Sequence, residues 1–187
     1  MAKIPGTLTA FDLAVGLADS QLSPATVPKT PIVGVTIDSR LAEPGCLFVA
    51  LKGQRRDGHD FIPEAVAKGA VAVITEKILP GATGLAQLAA DLQVCTLDQA
   101  TCLVVPDSLA GLQRAAAYWR RQLDVAVIGI TGSVGKTTSK EVIAAVVSQR
   151  YCTLRSEGNY NNEIGLPLTL LQLEPSHECA VLEMGMY

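Results

Sequence analysis

Seven consecutive residues past the middle of the chain have the types and spacing for phosphate chemistry: Gly132, Ser133, Val134, Gly135, Lys136, Thr137 and Thr138. A loop of this kind turns successive backbone N–H groups inward, and a helix starting behind it adds the positive end of its dipole. Lys136 is then placed to reach the β- and γ-phosphates of a nucleoside triphosphate, with the Thr137 hydroxyl on the magnesium ion that bridges them. The general pattern G-x-x-x-x-G-K-[ST] asks for glycine where this chain has Ile130; its glycines are Gly129, Gly132 and Gly135. An ordinary glycine-rich strand-to-helix turn is the alternative. The flanks favour the phosphate reading, because Val125–Ile130 is an apolar run too short for a helix and helix formers resume after Lys136.

Other residues could complete such a site. Glu183 ends the strand-like run Cys179–Leu182. The carboxyl edge of a parallel sheet is where ligands bind in open α/β folds, so a carboxylate there is suited to hold magnesium. Asn159, Asn161 and Asn162 offer neutral donors and acceptors, although asparagine is equally a turn residue. Nearer the N-terminus, Asp38-Ser39-Arg40 and Lys52…Asp57-Gly58-His59 both fall at strand ends, where they can hydrogen-bond a polar ligand and set a cation on phosphate. Taken singly, each is more often just a turn.

The elements that must position these groups read as α/β. Thr9 is suited to cap a short helix with Leu13, Val15 and Leu17 on its apolar positions. Ser23–Pro31, with three prolines, reads as an extended connection. Strands are expected over Ile32–Ile37, Cys46–Leu51, Val71–Thr75 and Cys102–Val105, with a helix over Phe61–Lys68 stopped by Gly69. Cys46–Leu51 is almost wholly apolar and therefore central. Leu79–Thr101 reads as a variable insertion holding an Ala/Leu-rich helical turn and a weak strand near Gln93–Thr96. Asp107 caps a helix whose Leu109, Leu112, Ala116, Trp119 and Leu123 recur at spacings of three and four, a stripe suited to packing between two domains. Beyond it, helix is expected over Thr138–Gln149 and Leu168–Leu173, and strand over Tyr151–Leu154 and Cys179–Leu182. The division expected is residues 1–106, a connecting helix at 107–123, and a nucleotide domain at 124–187 with too few strands to close a doubly wound sheet.

Composition narrows the function classes. With 49% hydrophobic and 18% charged residues the chain is globular. A net charge of −3 and an aromatic content of 4% argue against nucleic acid as a partner. The five scattered cysteines make no C-x-x-C pair and suit buried thiols in a reducing cytosol rather than a zinc site. No signal segment and no run of 18 apolar residues occurs, so the expectation is a cytoplasmic protein without membrane insertion.

Several runs together resemble one family. T-G-S-V-G-K-T-T (Thr131–Thr138), G-N-Y-N-N-E-I-G-L-P-L-T-L-L (Gly158–Leu171) and L-E-M-G (Leu182–Gly185) are similar to motifs of the Mur ligases. So are D-S-R (Asp38–Arg40), P-G-C-L-F-V-A-L-K-G (Pro44–Gly53), D-G-H-D-F-I (Asp57–Ile62) and V-P-D-S-L-A-G-L-Q (Val105–Gln113). The shifted glycines are a mark of that family. Within it the match is to the type acting on UDP-N-acetylmuramoyl-tripeptide and D-alanyl-D-alanine, ahead of the type that adds the third amino acid. The resemblance implies a small N-terminal α/β domain followed by the first part of a P-loop-type central ATPase domain with a mostly parallel sheet. It implies ATP and Mg2+ as cofactors, a monomer, and an acyl phosphate formed on the substrate carboxylate and attacked by the dipeptide amine. Carried over, Lys136 and Glu183 are catalytic, Thr137 and Glu183 hold the metal, and Gly132–Thr138 is the cradle. Ser39, Arg40, Asp57 and His59 contact the UDP end, with Asn161 and Asn162 beside the reacting groups. It also implies an incomplete central domain, so that this stretch alone is expected not to turn over. A nucleotide-dependent switch and a non-catalytic UDP-sugar-binding module stand as alternatives from other classes.

Overall fold

The structure, a computed structural model, describes residues 2–3, 8–18, 22, 27–158 and 160–185. Asn159 and the first residues of the expected connection, 23–26, lie outside them. Two sheets carry the strands. The first has seven strands in the order β1-β2-β3-β4-β7-β6-β5, and the second three in the order β8-β10-β9.

The first sheet grows from the apolar runs. Its middle is parallel: β2 (Gly34–Thr36), β3 (Cys46–Val49), β4 (Ala72–Thr75) and β7 (Ala100–Val104) pair side by side. All residues of β3 are buried because both faces are covered. Alternation sends Leu47 and Val49 to one side, with Ile74 and Leu103, and Cys46 and Phe48 to the other, with Val73 and Cys102. Helix α1 (Ala10–Ala18) covers the first side and α2 (Ile62–Ala67) the second. Thr9 and Asp12 close the start of α1 reciprocally: the Asp12 N–H donates to Thr9 Oγ1 at 3.2 Å and the Thr9 N–H to Asp12 Oδ2 at 2.9 Å. β1 (Ala2–Lys3) adds an antiparallel edge to β2.

The stretch read as a variable insertion is part of this sheet. β5 (Thr83–Ala89) and β6 (Leu92–Leu97) form an antiparallel hairpin that continues onto β7. No helical turn forms there. The Ala/Leu content suggested one, but alternation decides: Leu92 and Val94 face the core cluster of α1 and α3, and Cys95 packs opposite Cys102. Asp98 makes the second turn with φ +51°. Four of the five cysteines are buried as expected, while Cys152 is exposed.

Helix α3 (Ser108–Arg121) joins the sheets, capped by the Asp107 carboxylate accepting from the Ala110 N–H at 2.9 Å. It turns Leu112, Ala116 and Trp119 inward as expected, together with Gly111 and Ala115, whereas Leu109 is half-buried. Its apolar face is shared. One cluster runs from α1 through Leu112, Ala116 and Trp119 to Leu168, Leu171, Ala180 and Leu182.

In the second sheet, β8 (Ala126–Ile130), β9 (Thr153–Arg155) and β10 (Cys179–Glu183) are parallel, with β10 central and fully buried. Helix α4 (Lys136–Val147) lies on the side of Cys179 and Val181; α3 and α5 (Gly165–Leu170) lie on the side of Ala180 and Leu182. α5 begins three residues before the expected Leu168, because Pro167 is tolerated in a first turn, where its missing N–H has no helical partner to lose.

Candidate nucleotide site

The connection from Ile130 to Lys136 is the loop expected to cradle phosphate. Gly132 and Gly135 have φ of +141° and +81°, a region that strains any residue with a Cβ. Gly135 stands immediately before α4, so the loop enters the helix with its first N–H groups free of side-chain caps. The space over Gly135 is open, with no atom within 4 Å of where a Cβ would stand. Lys136 is half-buried and bridges the loop, its ammonium donating to the Gly132 carbonyl at 2.6 Å. A cation and a helix N-terminus thus meet at one glycine loop that is open over Gly135.

Parallel pairing of β10 with β8, Glu183 opposite Ile130, carries the carboxylate to that loop. Glu183 is 2% exposed. Its Oε2 accepts from the Thr137 hydroxyl at 3.0 Å and its Oε1 from Asn161 Nδ2 at 2.8 Å, while its own N–H donates to Ser156 Oγ at 3.1 Å. A hydroxyl and a carboxylate at the mouth of a phosphate loop are the hard oxygen donors that magnesium takes. The residues present therefore fit a magnesium–nucleotide.

The polar turn after β9 divides its asparagines between two tasks. Asn161 faces Glu183, and its carbonyl accepts from the Gly185 N–H at 2.6 Å. Asn162 instead holds the start of α5, its Oδ1 accepting from the Gly165 N–H at 2.7 Å. Two residues at the site escaped the sequence reading. Ser156 is fully buried beneath Glu183, and Lys140 is fully buried on α4 with its ammonium donating to the Gly158 carbonyl at 3.0 Å. The available signal for Lys140 was its spacing: it lies one turn from Ala144, the other buried position of α4.

The candidates of the first sheet also separate. Ser39 and Arg40 line a cleft of about 840 Å3 that also has Lys52, Arg56, Glu64 and, from beyond α3, Ile164 on its walls. The Ser39 hydroxyl donates to Glu64 Oε2 at 2.8 Å. Arg40 is exposed and grips Asp38, whose carboxyl it holds down at about 2. Asp57 and His59 are not on the walls of that cleft. His59 is buried, with Nδ1 at 2.5 Å from Asp57 Oδ1 and Nε2 accepting from the Glu76 N–H at 2.9 Å. Nε2 accepts only if Nδ1 carries the proton, so both ring nitrogens are already engaged. The Lys77 ammonium at 2.7 Å, with the His59 backbone N–H and ring, holds the Asp57 carboxyl far below the usual carboxylate range. Glu76 in turn accepts from the Ser108 N–H at 3.0 Å, so this pair braces the entry to α3.

Comparison with known proteins decides the family. The Mur ligase family catalytic-domain model matches residues 31–96 and the Mur ligase middle-domain model residues 130–187. The chain belongs to the Mur ligase family. A UDP-N-acetylmuramoyl-tripeptide–D-alanyl-D-alanine ligase of Synechocystis is 41% identical over 96% of this chain and 37% of that protein. The crystal structure II of MurF from Acinetobacter baumannii superposes with a TM-score of 0.78 at 34% identity, covering 100% of this chain and 36% of the other. MurF ligase from Thermotoga maritima, solved in complex with ADP, gives 0.66 at 34% identity over 81% of this chain and 32% of its own. The chain spans about a third of the length of the curated relatives it matches. Its glycine loop, Glu183 and Asn161 all fall within the matched middle-domain region of this Mur ligase chain.

Proposed function

We propose that this chain carries the nucleotide- and UDP-substrate-binding parts of an ATP-dependent ligase that joins D-alanyl-D-alanine to UDP-N-acetylmuramoyl-tripeptide. The observation that carries the reading is the Thr137–Glu183 pair, 3.0 Å apart at the mouth of the glycine loop. The ADP in the Thermotoga relative supports a nucleotide there. Residues 1–106 hold the substrate, 107–123 connect, and 124–187 bind ATP. Thr137 and Glu183 would hold a magnesium ion, which would supply neutralisation of phosphate charge, and Lys136, now on the Gly132 carbonyl, would turn to the β- and γ-phosphates. The chemical need is plain. A carboxylate is a poor electrophile at neutral pH, and taking the γ-phosphate turns it into an acyl phosphate that an amine can attack, with phosphate leaving.

Ser39 and Arg40 meet the UDP end in the cleft, with Lys52 and Arg56 supplying further positive charge for its diphosphate. Asp57 and His59 act from behind, by fixing the wall that Gly58 contributes. Asn161 borders the reacting groups through Glu183, and Asn162 sets the start of α5 beside it. A monomer working in the cytoplasm is part of this reading; among the described residues no helix is long and apolar enough to cross a membrane. Titration calorimetry tests the reading. Magnesium-dependent binding of ATP or ADP together with binding of UDP-N-acetylmuramoyl-tripeptide is the expected result. Nucleotide binding alone would favour a switch, and binding of neither would overturn the assignment.

A further inference from the structure

Lys140 is a full charge with no solvent contact, three residues past Thr137 on the same helix. Its ammonium makes one short bond, to the Gly158 carbonyl at 3.0 Å, with Glu141 Oε1 at 3.4 Å and Glu183 Oε2 at 3.8 Å. An ammonium buried on one short carbonyl bond and two longer carboxylate contacts is a costly way to hold a loop. The surrounding charges suggest what offsets it. Glu141 is also gripped by Arg155, so that pair balances itself. Glu183 has no such second cation; its other close partners, Thr137 and Asn161, are neutral.

We propose that Lys140 is a positioning residue whose ammonium neutralises Glu183 while it holds the Gly158 carbonyl, so that a divalent cation enters the site with a nucleotide and not alone. This rests on the reading of the loop as a magnesium–nucleotide site. Lys140 and Glu183 cancel, and Lys136 adds one positive charge beside them. A free dication therefore meets a site that repels it. A nucleotide brings several negative charges, which Lys136 and the loop N–H groups accept, and the sign of the local field reverses.

The test is binding of Mn2+ to the full chain, followed by electron paramagnetic resonance with and without ADP, beside calorimetry of ADP itself. Wild-type protein is expected to bind Mn2+ at least about 10-fold more tightly with ADP than without. Lys140→Met and Lys140→Gln are expected to raise affinity for Mn2+ alone by about 10-fold and to shrink that difference. Lys140→Gln keeps a donor for the Gly158 carbonyl, so a gain of cation affinity in a folded Gln variant reports the lost charge and not a loosened turn. Should wild type bind Mn2+ equally well with and without ADP, the proposal is overturned whatever the variants do. An unchanged or weaker affinity for free Mn2+ in a folded variant overturns it too. Absence of ADP binding by wild type is a different outcome: it removes the nucleotide reading and this inference with it.

Discussion

Glu183 has two carboxylate oxygens, and each is taken by a different element: Oε2 by Thr137 at the start of α4, Oε1 by Asn161 in the turn after β9. That division makes the residue a joint between loop and turn as well as the proposed metal ligand. Glu183→Gln keeps the shape while removing the charge. It is expected to raise metal-free ADP affinity, because the Lys140 charge is then uncompensated, and to abolish the increase by Mg2+, read by calorimetry with and without chelator. Lys136→Ala is expected to weaken triphosphate binding by about 1.5–3 kcal/mol, the scale of a hydrogen bond to a charged group. Unchanged affinity in that variant would remove the phosphate role from the loop. The glycine loop leading into α4 was legible because glycines just before a helix mark where the backbone takes positive φ, which spacing alone encodes. Asp57 and His59 were not separable from Ser39 and Arg40 in that way. Their pattern names good ligands, but the bonds from His59 to Asp57 and Glu76 close only in three dimensions.

At the scale of elements, α3 does the joining. Trp119 is 6% exposed and donates its indole N–H to the Leu173 carbonyl at 2.9 Å, from the first sheet's covering helix to the end of α5's turn. Trp119→Ala is expected to lower stability by about 3–5 kcal/mol through the cavity it leaves. Trp119→Phe fills most of that volume and leaves the Leu173 carbonyl without its donor, an expected loss of about 1–3 kcal/mol. Urea denaturation of the two variants checks both values, and equal losses would mean that the packing contributes little beside the hydrogen bond. The stripe that marked α3 was visible as a period of three and four. The hairpin of β5 and β6 was not, since its Ala- and Leu-rich composition suits helix and only its pairing with β7 makes strand the better use of it.

For the whole molecule, the depressed carboxyls set a pH dependence. Asp38 is lowered to about 2 by its hydrogen bond with Arg40, and Asp57 lies lower still through Lys77 and His59. Both have folded values below the unfolded value of about 3.9. Their contribution is therefore complete above about pH 4 and lost as pH falls through the folded values, first for Asp38. Urea midpoints measured from pH 6 down to pH 2 are expected to be steady from this source above pH 4 and to fall below it, with a shallower fall in Asp57→Asn. An equal slope in that variant would show that the Lys77–Asp57 pair contributes nothing to stability.

The sequence by itself determined the α/β class, the glycine loop before α4, the carboxylate at a strand end and the stripe of α3. Each is written in local spacing: a period of two or about four, or glycines where the backbone needs positive φ. Tertiary structure alone decided the rest. It brought Glu183 within 3.0 Å of Thr137 across 46 positions, sent Asn161 to the carboxylate and Asn162 to a helix start, and placed the Lys140 charge where no water reaches. The reason is that strand register and helix packing set distances between residues far apart in the chain, and no local pattern carries that information.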